Sequence, residues 1–157
     1  GSLERSLASY LRSRPTSLYE VLDISSLLFN ELCAAAAESD DEAQYEALRR
    51  IGSEIGECRD PAEMARLEPA LQELLFAMVD RPLFELLTRV ALRIAGSRHT
   101  SESGFGLERW KESRQEIIAA IVRRDPDLAR FEANRRNRDV VLSMRLASQG
   151  GGTTTTP

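Results

Sequence analysis

Two acid–proline pairs, Asp60-Pro61 and Asp125-Pro126, constrain the fold of this chain more than any other feature. An aspartate can accept the free N–H groups of a first helical turn. A proline at the first helical position has no N–H to leave orphaned, and its φ already suits the helix. Each pair therefore marks a helix start. Asp80-Arg81-Pro82 marks another and the acidic Ser39-Asp40-Asp41-Glu42 a fourth, while the Ser- and Gly-rich stretch from Gly96 to Gly106 reads as the longest internal loop. No segment alternates apolar and polar residues as a half-buried strand would. The spacing predicts helices over 3–13, 17–37, 40–57, 61–79, 82–97, 107–123 and 126–146. Their short connections favour an all-α, antiparallel bundle of six or seven helices. Leu71, Leu74, Leu75 and Met78 recur at helical spacing, as do Leu83, Leu86, Leu87 and Val90, giving each helix a stripe to pack. Pro69 is expected to kink or restart the fourth helix near Glu68. Gly1-Ser2 reads as a cloning scar and residues 148–157 (SQGGGTTTTP) as a disordered tail, which leaves 3–147 as one helical domain.

Composition removes several function classes. With 42% apolar residues the chain can bury a core, but no run approaches the roughly 18–20 apolar residues of a membrane span. There is no charged-then-apolar leader pattern, so a cytoplasmic chain with no membrane contact is expected. The 21 Lys and Arg against 25 Asp and Glu, a net charge of −4, argue against direct binding of nucleic acid, which needs a concentrated cationic surplus. Arg135 and Arg138 alternate with Glu132 and Asp139, with no aromatic platform among them, so the run Arg135-Arg136-Asn137-Arg138 reads as a solvated face. Cys33 and Cys58 lack any CxxC spacing and are expected as two reduced thiols. His99 is the only histidine, and it stands in a predicted connection with no nucleophile beside it. No glycine-rich phosphate cradle is present, and the Ser39 to Glu42 cluster lacks the spacing of a calcium loop. A carboxylate base at Glu68 or Asp23 would lack both a partnered nucleophile and a metal motif. The chain is therefore expected not to be an enzyme and to need no cofactor.

The informative residues are polar ones on apolar sectors. Leu27 to Ala37 (LLFNELCAAAA) is apolar nearly all round, the mark of a central helix, with Asn30 and Glu31 as exceptions. On the same helix Tyr19, Asp23, Ser26, Asn30 and Cys33 share a sector, which suits either a cavity wall or a solvated flank. On the sixth helix Arg114 lies on the face of Leu107, Trp110, Ile117, Ile118 and Ile121. On the fourth, Glu68 and Gln72 align with Leu75 and Val79, and on the last, Arg136 stands beside Ala129, Ala133 and Val140. An unpaired buried charge costs several kcal/mol, so inward arginines must meet an acid, meet an anionic ligand, or snorkel to water. Two readings stay open, a Glu68–arginine bridge that closes the interior and a ligand pocket. In the second, Asp23, Ser26 and Asn30 line one wall, with Glu68, Gln72, Trp110, Arg114 and Arg136 opposite. Two guanidinium groups in a partly dry pocket favour a carboxylate, phosphate or acyl-CoA-like anion through bidentate bonds.

Leu18-Tyr19-Glu20-Val21, followed by a long helix ending in Ala34 to Ala37, resembles the opening of the ligand-binding C-terminal (FCD) domain of FadR-type GntR transcription regulators. Glu63 to Leu87, with Asp80-Arg81-Pro82-Leu83 at a turn, is similar to that family's fourth helix and the start of its fifth. Glu112 to Ala120 and Arg124-Asp125-Pro126-Asp127-Leu128-Ala129-Arg130 resemble its last helical pair, so the likeness spans roughly 15–146. The resemblance implies an effector-sensing module that forms a homodimer, with DNA contacted only through a winged helix-turn-helix outside this chain. Many members hold a metal with one aspartate and three histidines, and the positions that match are Glu68, Gln72, Arg114 and Arg136. Arginine cannot shed its proton to ligate and glutamine is a poor ligand, so this chain resembles a metal-free branch. Leu22 stands where the family's effector-binding arginine follows Tyr-Glu-Val, so that contact does not carry over. A small anionic effector in a metal-free helical pocket is the function expected. The alternative is a helical dimerisation or interaction module without a small-molecule ligand, its arginines paired with Glu68 or Asp23.

Overall fold

The computed structural model describes residues 1–14, 17–99 and 106–150. Among the described residues there are seven helices and no strand: α1 (Ser2–Ser13), α2 (Ser17–Ala36), α3 (Glu42–Glu57), α4 (Pro61–Met78), α5 (Pro82–His99), α6 (Leu107–Val122) and α7 (Pro126–Gly150). The all-α expectation holds. α5 continues through His99, further than the loop expected from Gly96, and α7 continues through Gly150; residues 100–105 and 151–157 of the expected loop and tail lie outside the described residues.

The acid–proline starts work as caps. Asp60 accepts from the Glu63 backbone N–H at 2.9 Å, with Glu63 accepting in turn from Arg59 N at 3.2 Å. Asp125 accepts from Leu128 N at 3.0 Å. In the acidic cluster Asp41 is the capping residue, accepting from Ala43 N at 3.0 Å, so α3 begins at Glu42 rather than at 40. Pro69 lies inside an uninterrupted α4. It removes the N–H that would bond the Ala65 carbonyl, but both residues are exposed, so water can satisfy the freed acceptor. The turn from α6 to α7 closes with Arg124 N bonded to Ile121 O (2.8 Å) and Asp125 N to Ala120 O (3.2 Å), Arg124 taking φ 57° in the left-handed region.

The most extensive packing joins α2 to α7, with α6 on α7, α5 on α2 and α3 between α4 and α6. Phe29, Leu32, Cys33, Leu71, Leu75, Ile117 and Ile121 form the centre of the core. Ala129 and Ala133 of α7 are fully buried, and small side chains there let α7 approach its neighbours closely. Lys111, unexpectedly buried, donates from Nζ to the Cys58 carbonyl at 3.0 Å, tying α6 to the C-terminus of α3, where a cation suits the helix dipole. One expected core stripe does not reach the core. Leu83, Leu86 and Leu87 are 70%, 56% and 51% exposed, because α5 turns Thr88, Ile94 and Ala95 inward instead.

Replacing Ala133 by Leu forces three further carbons into a closed contact and should lower stability by about 1–3 kcal/mol. A lower urea midpoint with unchanged slope is the expected reading, and an unchanged midpoint would show that α7 does not pack this tightly.

Candidate functional site

The centre of the site is a carboxylate. Glu68 projects from α4, where its register with Leu71 and Leu75 turns it toward α6. Arg114 meets it from α6, donating from Nε to Oε2 and Oε1 at 2.9 and 3.1 Å and from Nη2 to Oε1 at 2.6 Å. Trp110 Nε1 donates to Oε2 at 2.7 Å and Gln72 Nε2 to Oε1 at 3.2 Å. The ion pair is largely withdrawn from solvent, its side chains 16% (Arg114) and 22% (Glu68) exposed. The Phe29 ring of α2 lies 5.0 Å from the Arg114 guanidinium carbon, a cation–π contact that brings a third helix to the pair. Burial alone would push the Glu68 carboxyl up, but the Arg114 charge and the bonds from Arg114, Trp110 and Gln72 outweigh it and hold the group below the usual carboxylate range. Cys33, fully buried close by, has its thiol pushed up to about 12 by the same desolvation and stays protonated.

A second cluster joins α2 to α7. Asn30, buried on the central helix, donates from Nδ2 to Asn134 Oδ1 at 3.1 Å and accepts from Asn137 Nδ2 at 3.4 Å. A third joins α6 to α7. Arg136 donates from Nη2 to Glu116 Oε2 at 3.0 Å, with Glu112 Oε1 3.5 Å away, and Arg135 Nη2 bonds the same Glu116 oxygen at 2.6 Å. The Nε of Arg136 is buried with no hydrogen-bond partner among the described residues.

The sequence-predicted residues therefore divide. Glu68, Gln72, Trp110 and Arg114 come together in one network, and Asn30 and Arg136 sit in two neighbouring ones. Ser26 is half-buried and Asp23 exposed, and among the described residues neither is hydrogen-bonded into these networks. Asn134, Asn137, Glu116 and Phe29 were missed. The first two stand beside or inside the arginine run, where a charged surface masks an amide pair spaced three residues apart on the face toward α2.

Three neighbouring polar networks thus stand among α2, α4, α6 and α7. The FCD domain profile matches residues 20–135 of the 157, and the chain belongs to that family, the effector-binding regulatory domain of GntR-type transcription regulators. No curated protein and no solved structure matches the chain. α1 precedes the matched residues. Among the described residues no helix is long and apolar enough to cross a membrane, and no group of three or more His, Cys, Asp and Glu side chains is arranged to hold a metal ion.

Breaking the central pair leaves a buried charge unpaired, so Arg114→Met should cost about 3–5 kcal/mol. Because the folded-state pKa of Glu68 is depressed, the pair's contribution is fully present above the unfolded carboxyl value of about 4.3 and is lost as pH falls through the lower folded value. Glu68→Gln should therefore flatten the acid side of the stability profile, and a variant whose acid unfolding matches the parent's would contradict this.

Proposed function

We propose that this chain is the effector-sensing and dimerisation module of a GntR/FadR-type regulator, and that a small carboxylate or acyl-CoA-like anion is recognised through Arg136 and the adjoining Asn30–Asn137 amides. One observation carries the reading: the buried Nε–H of Arg136 has no acceptor among the described residues, although a stranded buried donor costs free energy until one arrives. Arg114 is the poorer candidate because its guanidinium is already spent on Glu68, which would become an unpaired buried carboxylate if the arginine turned to a ligand. Glu116 differs. It also holds Arg135 and can release Arg136 without losing its countercharge. An incoming carboxylate that takes the Nε and Nη edge of Arg136 thus satisfies a donor and strands no acid.

The module works as a regulator if the effector biases helix packing and the packing sets the spacing of two winged helix-turn-helix domains in a dimer. Homodimerisation is supported by exposed apolar side chains on two packed helices. Ile24 and Leu27 of α2 are 54% and 62% exposed, Leu83, Leu86 and Leu87 of α5 also face outward, and these two helices pack on each other. The alternative, an interaction module with no small-molecule ligand, draws its support from the completeness of the Glu68–Arg114 pair, which fills one expected anion seat with an internal carboxylate.

Melting the chain against organic acids and acyl-CoAs separates the two. A ligand at 100 times its Kd should add about 2.7 kcal/mol of stability. Arg136→Met should abolish that gain while leaving the fold intact; no gain with any member of the panel would favour the ligand-free alternative. For the dimer, Leu83→Glu with Leu87→Glu should move the sedimentation coefficient from dimer to monomer with helix content preserved, and a parent chain that sediments as a monomer would remove the dimerisation claim.

A further inference from the structure

Glu68, Gln72, Arg114 and Arg136, the four positions that match the metal ligands of many FCD-domain proteins, hold chemistry in this chain that does not fit a metal. Arg114 and Arg136 have no lone pair to offer. Gln72 turns its amide N–H to Glu68 at 3.2 Å, Cys33 stays a buried thiol, and Glu68 is left as the one carboxylate of the network. That carboxylate is nonetheless dressed as a ligand would be, buried and oriented by Trp110 and Gln72, with a positive charge directly opposite. We propose that Arg114 is the resident cation of this core site, its guanidinium standing in the place of a divalent ion and clamping α4 to α6 from within the chain. The inference stands apart from the proposed effector, since it concerns the cation that Glu68 holds, whereas the effector is read on Arg136.

The physical consequence is a change in what the clamp depends on. A bound metal stabilises by mass action and is lost to a chelator, whereas a guanidinium tethered to α6 is always present at its own site. The flat guanidinium also exploits what an ion could not. Its fork matches both carboxylate oxygens, and its face lies on the Phe29 ring at 5.0 Å, so α2 is held to the clamp through the cation itself.

The purified chain should melt at the same temperature with excess EDTA, with no addition and with added Zn²⁺, and elemental analysis should find no stoichiometric metal. Arg114→Met should lower Tm, and Arg114→Lys, which keeps the charge but not the fork, should lower it less. Gln72→His, Arg114→His and Arg136→His together, with Glu68 retained, should create a chain whose Tm rises with Zn²⁺ and falls again with EDTA. Stoichiometric metal in the parent, a chelator-induced fall in its Tm, or an Arg114→Met variant as stable as the parent would overturn the inference. A folded triple variant without a Zn²⁺ response would do the same; if that variant folds under neither condition, the chelator and Arg114→Met results decide.

Discussion

The interior of this bundle is organised by a carboxylate and a guanidinium that neither tolerate solitude nor leave room for a rival. Taking either group out of water costs several kcal/mol, and the cost is recovered only where every donor and acceptor finds a partner in good geometry. Glu68 meets that condition. Trp110, Gln72 and two nitrogens of Arg114 converge on its two oxygens, at distances between 2.6 and 3.2 Å. Because these bonds are directional, they specify how α4 sits against α6 where leucine and isoleucine contacts alone would permit sliding. The surrounding apolar core, to which α4 gives Leu71 and Leu75 and α6 gives Ile117 and Ile121, supplies the non-directional stabilisation that the pair itself does not.

Two arginines that look alike in sequence come to differ through their partners. Both fall on apolar sectors and both are 16% exposed. Arg114 commits Nε and Nη2 to one acid that has no other guanidinium among the described residues, and its Nη1 to Ser113. Arg136 shares its acid with Arg135 and keeps a buried Nε–H in reserve. Helical spacing can place a cation on the inward side of a helix. It cannot say whether the neighbouring helix brings a carboxylate to the same level, and that alone separates a structural arginine from one with capacity left over.

The same limit marks what was legible elsewhere. Asp60-Pro61 and Asp125-Pro126 fixed helix starts because capping is local chemistry, complete within four residues. The face of each helix was equally plain, and the inward placement of Trp110, Arg114 and Ile117 follows from it. The stripe of Leu83, Leu86 and Leu87 shows where this reasoning stops: periodicity identifies an apolar face and leaves open whether the chain's own core or another surface covers it. Lys111 and Asn134 were hidden for the opposite reason. Each carries a polar label that suggests solvent, and only the carbonyl of Cys58 or the amide of Asn30, remote in sequence, gives it a reason to be inside.

α2 links these threads physically. Its inner face supplies Phe29 to the Arg114 guanidinium and Asn30 to the α7 amides, while its outer face carries the exposed Ile24 and Leu27. Coupling between an internal site and an outer surface requires an element with two arrangements that both can bias. The Phe29 contact is a poor place for such movement, since shifting it would disturb a saturated ion pair. The amide contacts are better suited, as Asn30 holds Asn134 at 3.1 Å and Asn137 at only 3.4 Å, and neutral amides exchange partners at far smaller cost than buried charges. In the proposed reading, an anion on Arg136 acts beside Asn137, the longer of these bonds, so α2 would pivot about the fixed Glu68–Arg114 clamp and present its outer leucine and isoleucine at a changed angle to the second copy.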